Sequence, residues 1–174
     1  PGVLYQMKGR VDVGCDGGFS APTNAAPVTS TTQGCTAANG FTLNGSGQLT
    51  SDTNVTLTID PGVIVFAEPG ATWLAVNRGN RINAAGTATQ PIIFTSRENV
   101  TGANTDNSIG QWGGVVLLGR GIITDCSTGA TSPSGGAGSC ERQTEGATQP
   151  AVYGGADNTY NAGTMRYVQL RYSG

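Results

Sequence analysis

Residues 55–96 set a pattern that the rest of the chain approaches or extends. Short apolar runs at 55–59, 63–66, 73–76, 82–84 and 92–95 are cut by breaks such as Asp60-Pro61-Gly62 and Glu68-Pro69-Gly70. Period-2 alternation places Val55, Leu57 and Ile59 on one face; Leu74 and Val76 repeat it one interval later, and Ile92 and Phe94 repeat it again after a nearly equal one. A second series, Val63 and Val65, is answered at the same interval by Ile82 and Ala84. Short strands recurring about every 20 residues mark a solenoid, in which each coil hides its apolar face only by stacking on its neighbours. The pattern predicts an all-β chain, one parallel β-helix domain over 1–174, with five to seven coils of roughly 20–25 residues. No dozen-residue window carries apolar positions at i, i+3, i+4 and i+7, so little helix is expected.

Where the alternation fails, polar insertions are expected. Val11 and Val13 open the pattern; 14–40 is then rich in Gly, Ala, Pro, Ser and Thr, with Cys15 near its start and Cys35 near its end. Phe41, Leu43 and Leu49 restart it, 97–110 interrupts it, and the apolar run at 115–118 resumes it. Another insertion spans 126–163, beginning with the loop between Cys126 and Cys140. The run at 165–172 reads as one last strand, with Met165 and Tyr167 on one face and Val168, Leu170 and Tyr172 turned inward. That strand stands almost at the end of the chain, which implies either a piece of a longer protein or a partner that covers it.

Composition and charge narrow the classes. Charged residues are 11% and Gly numbers 28, which suits turns and strands better than helices. Nine basic against eleven acidic residues give a net charge of −2, and the arginines are mostly scattered, so no nucleic-acid partner is expected. Runs such as 115–118 are too short for a membrane span. Four cysteines allow three pairings; the local one, Cys15–Cys35 with Cys126–Cys140, closes two polar loops and suits an oxidising compartment. An extracellular or outer-surface location follows.

The motifs at 57–62, 74–87 (Leu-Ala-Val-Asn-Arg-Gly-Asn-Arg-Ile-Asn-Ala-Ala-Gly-Thr), 91–96, 112–119 (Trp-Gly-Gly-Val-Val-Leu-Leu-Gly) and 165–174 carry a resemblance. Together they resemble a group of large bacterial secreted or outer-surface proteins read as right-handed parallel β-helices, over about residues 45–174. The resemblance implies the right hand of the helix and further coils beyond 174. Its motifs are turn and core positions, so it brings no catalytic residue.

Candidate chemistry is sparse. Polysaccharide-cleaving β-helices need clustered carboxylates or acids that hold Ca²⁺ beside a basic residue, but the chain has no Asp-x-Asp or Glu-x-Asp pair, no histidine and one lysine, Lys8. Trp73 points outward by alternation and is the candidate contact for a surface glycan or a partner, unless the 97–110 insertion covers it; Trp112 reads as packing. Arg78 and Arg81, flanking Gly79, read as a structural clamp on carbonyl oxygens. The segments 12–18 and 104–107 offer oxygen ligands for Ca²⁺ without matching an EF-hand loop; no other cofactor is implied. The expected function is a non-enzymatic extracellular structural or adhesive protein, with end-to-end self-association through residues 165–172. The alternative is a carbohydrate-binding or polysaccharide-cleaving domain.

Overall fold

The computed structural model describes residues 3–18, 35–46, 49–126 and 140–174. The 97–110 insertion is described whole, whereas most of the 14–40 insertion and the loop between Cys126 and Cys140 lie outside the described residues.

Ten short strands build the coil: β1 Leu4–Met7, β2 Arg10–Val13, β3 Thr56–Ile59, β4 Ile64–Ala67, β5 Trp73–Val76, β6 Arg81–Ala85, β7 Ile92–Ser96, β8 Val115–Leu117, and, after a small hairpin of β9 Arg142–Gln143 and β10 Val152–Tyr153, β11 Gly163–Arg166 and β12 Val168–Leu170. They assemble into three parallel sheets: β1-β4-β7-β12 (sheet one), β2-β5-β8 (sheet two) and β3-β6-β11 (sheet three). The chain visits sheets one, two and three in turn and then moves up one level, which is a parallel β-helix. Among the described residues the one α-helix, α1 Arg97–Thr101, lies in the 97–110 insertion; the Ser96 side chain caps it by accepting from the Asn99 N–H.

The stacking partners differ from the repeat read along the chain. Leu57 sits beside Ile82 and Ile64 beside Ile93, each a longer step than the interval between the repeating apolar faces. Leu74 pairs with Val11 and Val115, not with Leu57 or Val55. A coil therefore takes three strands, and among the described residues insertions consume so much chain that sheet one holds four levels and the others three, fewer than the five to seven coils expected. Nor does the segment at 41–49 restart the coil: Leu43 bridges Leu49 in antiparallel fashion, and Leu49 packs with Cys15 and Cys35 in a satellite cluster with Phe41.

Alternation within each strand does give the core. Val65, Leu74, Val76, Ile82, Ala84, Ile92 and Phe94 point inward and are buried, with Trp112 closing the same cluster. Burying a side chain the size of Ile92 or Phe94 contributes about 1.5–3 kcal/mol. The expected single strand at 165–172 is two strands. Tyr167 has φ 50° and makes a one-residue corner between β11 and β12. The corner resets the alternation, so Met165, in register with Ile59 and Ala84, packs on the core, as does Val168. Tyr172, expected inward with Val168 and Leu170, lies past β12 with φ 59°, and its hydroxyl accepts from Asn104 Nδ2 at 2.7 Å. Close stacking needs Gly163 at the head of β11: a Cβ there would lie 1.9 Å from the Ile82 carbonyl oxygen.

Candidate functional site

The polar chemistry of the molecule gathers at the turn between β5 and β6, Asn77-Arg78-Gly79-Asn80, all four residues buried. A turn out of a sheet leaves backbone groups without ladder partners, and once buried they must find others. Asn77 and Asn80 supply them. Asn80 Nδ2 donates to the Cys15 carbonyl at 2.8 Å, while its Oδ1 accepts from the Val55 N–H and the Thr53 hydroxyl at 3.0 and 2.6 Å. Asn77 Nδ2 donates to Asp12 Oδ1 and the Gly14 carbonyl at 2.8 and 2.9 Å. Gly79 has φ +86°, and a Cβ there would meet Asp52 Oδ1 at 2.5 Å, so only glycine fits this turn.

Arg78 is fully buried between loops from three levels of the coil. Its Nε and one terminal nitrogen donate to the two oxygens of Asp16, both at 2.7 Å; the other donates to Glu141 at 2.6 Å and to the Gly154 carbonyl at 2.8 Å. Burial works against the guanidinium charge, but the bonds and field of Asp16 and Glu141 outweigh it and hold the Arg78 pKa above its ordinary value. Arg120 is buried close by: its terminal nitrogens donate to both oxygens of Asp52, its Nε donates to the Gly18 carbonyl at 2.9 Å, and it lies 5.3 Å from the centre of the Tyr160 ring. The Tyr160 hydroxyl donates to the Asn80 carbonyl at 2.7 Å and accepts from the N–H groups of Gly79 and Asn80. Its burial raises the Tyr160 pKa, against the lowering effect of those two N–H bonds.

Of the two arginines expected to clamp carbonyl oxygens, Arg78 does so mainly through carboxylates, and Arg81 is exposed on β6. Arg120, Tyr160, Asn77 and Asn80 carry as much of the site as Arg78, and the sequence marked them only as parts of a turn and an insertion. Tyr160 finds its partner Asn80 about half the chain away, with no local signal to join them.

Trp73 does point out of the coil, but it is covered and only 6% exposed. The cover comes from the later insertion, not 97–110: Ala151 belongs to the same buried cluster as Trp73, with Ala75 and Leu118, and Arg10 lies 5.0 Å over its ring. Arg10 in turn donates to the Gln149 and Pro150 carbonyls at 3.0 Å, which ties that insertion down over the indole. With Arg10 over its ring and little of its surface open, Trp73 does not stand as the exposed stacking platform expected. A groove of about 450 Å³ runs beside it, lined by Gly70, Ala71, Gly113, Thr144 and Glu145 among others. Trp112 packs in the core and donates from Nε1 to the Arg171 carbonyl at 2.8 Å.

Both disulfides pair as the loop lengths suggested, Cys15–Cys35 and Cys126–Cys140. Of the candidate Ca²⁺ ligands, Asp12 bonds Arg10 and Asn77, Asp16 bonds Arg78, and Asn104 bonds Tyr172. Among the described residues no three His, Cys, Asp or Glu side chains converge to hold a metal ion.

A β-helix of three parallel sheets with side-loop insertions has a counterpart: residues 29–174 match the family described as a pectate-lyase like beta helix domain. The chain belongs to that family. No curated protein and no solved structure matches it. In this pectate-lyase-like β-helix four acids, Asp12, Asp16, Asp52 and Glu141, are bonded to arginine, whereas Asp60, next to β3, is exposed and, among the described residues, in no ion pair with arginine. The disulfides fit an oxidising compartment, and among the described residues no helix is long and apolar enough to cross a membrane.

Proposed function

We propose that this domain is a non-enzymatic structural or adhesive β-helix of an extracellular or bacterial outer surface, and that it associates end to end. The observation that carries this reading is where the carboxylates go. General acid–base work needs a carboxyl group free to take or give a proton at the substrate. Here Asp16, Asp52 and Glu141 have oxygens filled by the guanidinium groups of Arg78 and Arg120, both buried, so the charges brace loops against the coil. A stiff rod with pinned side loops is what such bracing makes. Sedimentation velocity and negative-stain microscopy of the purified chain test the assembly: concentration-dependent rods are expected, and a monodisperse monomer at all concentrations overturns it.

Membership of a pectate-lyase-like family and the groove beside Trp73 favour a second reading, carbohydrate binding or cleavage. Under it, polygalacturonate or alginate is depolymerised in the presence of Ca²⁺, or a glycan array shows specific binding. Blank results in both remove it.

A further inference from the structure

We propose that the hairpin at 141–154 is a redox-controlled strap: reduction of Cys126–Cys140, and not of Cys15–Cys35, frees its first leg and uncovers Trp73. The strap goes beyond the function proposed above and does not depend on it.

The two disulfides differ in their access to solvent. Cys15 and Cys35 are 0 and 5% exposed and pack with Leu49 in the satellite cluster. Cys140 is buried too, but Cys126 is half-buried and follows Asp125, whose side chain is 75% exposed. Thiol–disulfide exchange needs a thiolate to reach one of the two sulfurs, so access decides which bond is cut. The open approach for a dithiol reductant is at Cys126 Sγ. Its first thiolate forms a mixed disulfide there, and Cys140 leaves as a thiolate. Its second thiol then closes on the first and releases Cys126, so the reductant ends as a disulfide and the cysteine pair has gained two electrons and two protons.

That bond is the covalent anchor of the strap. Cys140 leads directly into Glu141 and β9, and β10 returns the chain to Gly154. With the bond cut, two ion pairs tie the first leg to the rest of the molecule. Arg142–Asp125 lies at the surface, where such a pair contributes little. Glu141–Arg78 reaches into the interior, but two carboxylates share that one guanidinium. Asp16 engages it with both oxygens, so the buried charge of Arg78 stays compensated when Glu141 moves into water. The second leg keeps its hold: the Gly154 N–H donates to the Gly119 carbonyl at 3.0 Å, and the Asp157 N–H donates to the Arg120 carbonyl at 2.8 Å. β9 and β10 therefore turn together about Gly154, which has φ 95°.

Between its legs the strap lies against sheet two. Ala151 is buried in one cluster with Trp73, with Ala147 and Tyr153 packed against that cluster, and the Gln149 and Pro150 carbonyls hold Arg10 over the indole. Two alanines and a tyrosine bury little apolar area, so covalent and ionic ties do most to keep the strap down. Trp73 stands on the outer face of β5 and becomes accessible without any change in the core of the coil.

The oxidised protein is titrated with dithiothreitol, free thiols are alkylated with iodoacetamide at each step, and the labelled peptides are mapped by mass spectrometry. Acrylamide quenching of tryptophan fluorescence is read on the same samples. Cys126 and Cys140 are expected to label at reductant concentrations that leave Cys15 and Cys35 unlabelled, with quenching raised severalfold and circular dichroism unchanged. Trp73→Phe, whose remaining tryptophan is Trp112 in the core, is expected to show no such rise. The double variant Cys126→Ser, Cys140→Ser is expected to show the raised quenching with no reductant present. Labelling of all four cysteines together overturns the proposal, as does labelling of Cys126 and Cys140 with quenching unchanged. A rise that persists in Trp73→Phe, or a serine double variant that quenches like the oxidised parent, overturns it as well.

Discussion

Arg78→Met tests the claim that the charges are structural. The substitution keeps a stem of similar length but removes two bonds to Asp16, one to Glu141 and one to the Gly154 carbonyl, all in a site with no solvent access to the guanidinium. Breaking a buried ion pair from one side costs about 3–5 kcal/mol. At about 2–4 °C per kcal/mol for a chain of this size, Tm falls by about 6–20 °C. The control is Arg97→Met, which removes an ion pair with Glu68 in which the arginine side chain is 51% exposed; such pairs are worth about 0–1 kcal/mol. Thermal unfolding followed by circular dichroism reads both. Combining Arg78→Met with Asp16→Asn should cost less than the sum of the two single changes, since both act on one interaction. If Arg78→Met melts no lower than Arg97→Met, the buried charges do not brace the coil.

Three further outcomes are expected. Burial holds the Tyr160 pKa above its ordinary 10.0, so the stability from its neutral form is present below about pH 10 and lost as pH rises through the raised value; Tm measured from about pH 8 to pH 12 should fall for the parent and stay flatter for Tyr160→Phe. Replacing both Cys15 and Cys35 with Ser opens a link across 20 residues and should cost about 3 kcal/mol in denaturant titration, with the sheets retained by circular dichroism. Trp73→Ala should destabilise by about 3–5 kcal/mol, because the indole is buried in one apolar cluster with Ala75, Leu118 and Ala151, and should leave a glycan array unchanged; a stable variant that loses glycan binding would reverse that assignment.

The β-helix was legible because every strand alternates and the breaks carry Gly and Pro. Its period was not, for a physical reason: inward residues recur at every spacing that joins two strands, whether or not those strands stack. Leu57 and Val76 stand one apparent repeat apart and both face the core, yet they belong to sheets three and two. Alternation likewise runs across Tyr167 unbroken on paper, since nothing in a tyrosine announces a positive φ. The disulfides were readable from loop lengths and Arg78 from its glycine neighbour. Arg120, Asp52 and Tyr160 meet only after the coil has folded, and Trp73 is covered by Arg10, itself tied to the carbonyls of Gln149 and Pro150 far later in the chain.

The arginine bracing also bears on how the coil would carry load. Asp16 follows β2 on the first level, Arg78 sits on the second, and Glu141 and Gly154 belong to the insertion after β8 on the third. The link therefore runs along the axis, in parallel with the inter-strand hydrogen bonds that join one level to the next. Tension applied end to end would otherwise peel the levels apart one ladder at a time, each bond failing after its neighbour. With charged clips spanning three levels, separating any adjacent pair stretches the clip as well, and the force is shared among levels instead of falling on a single ladder.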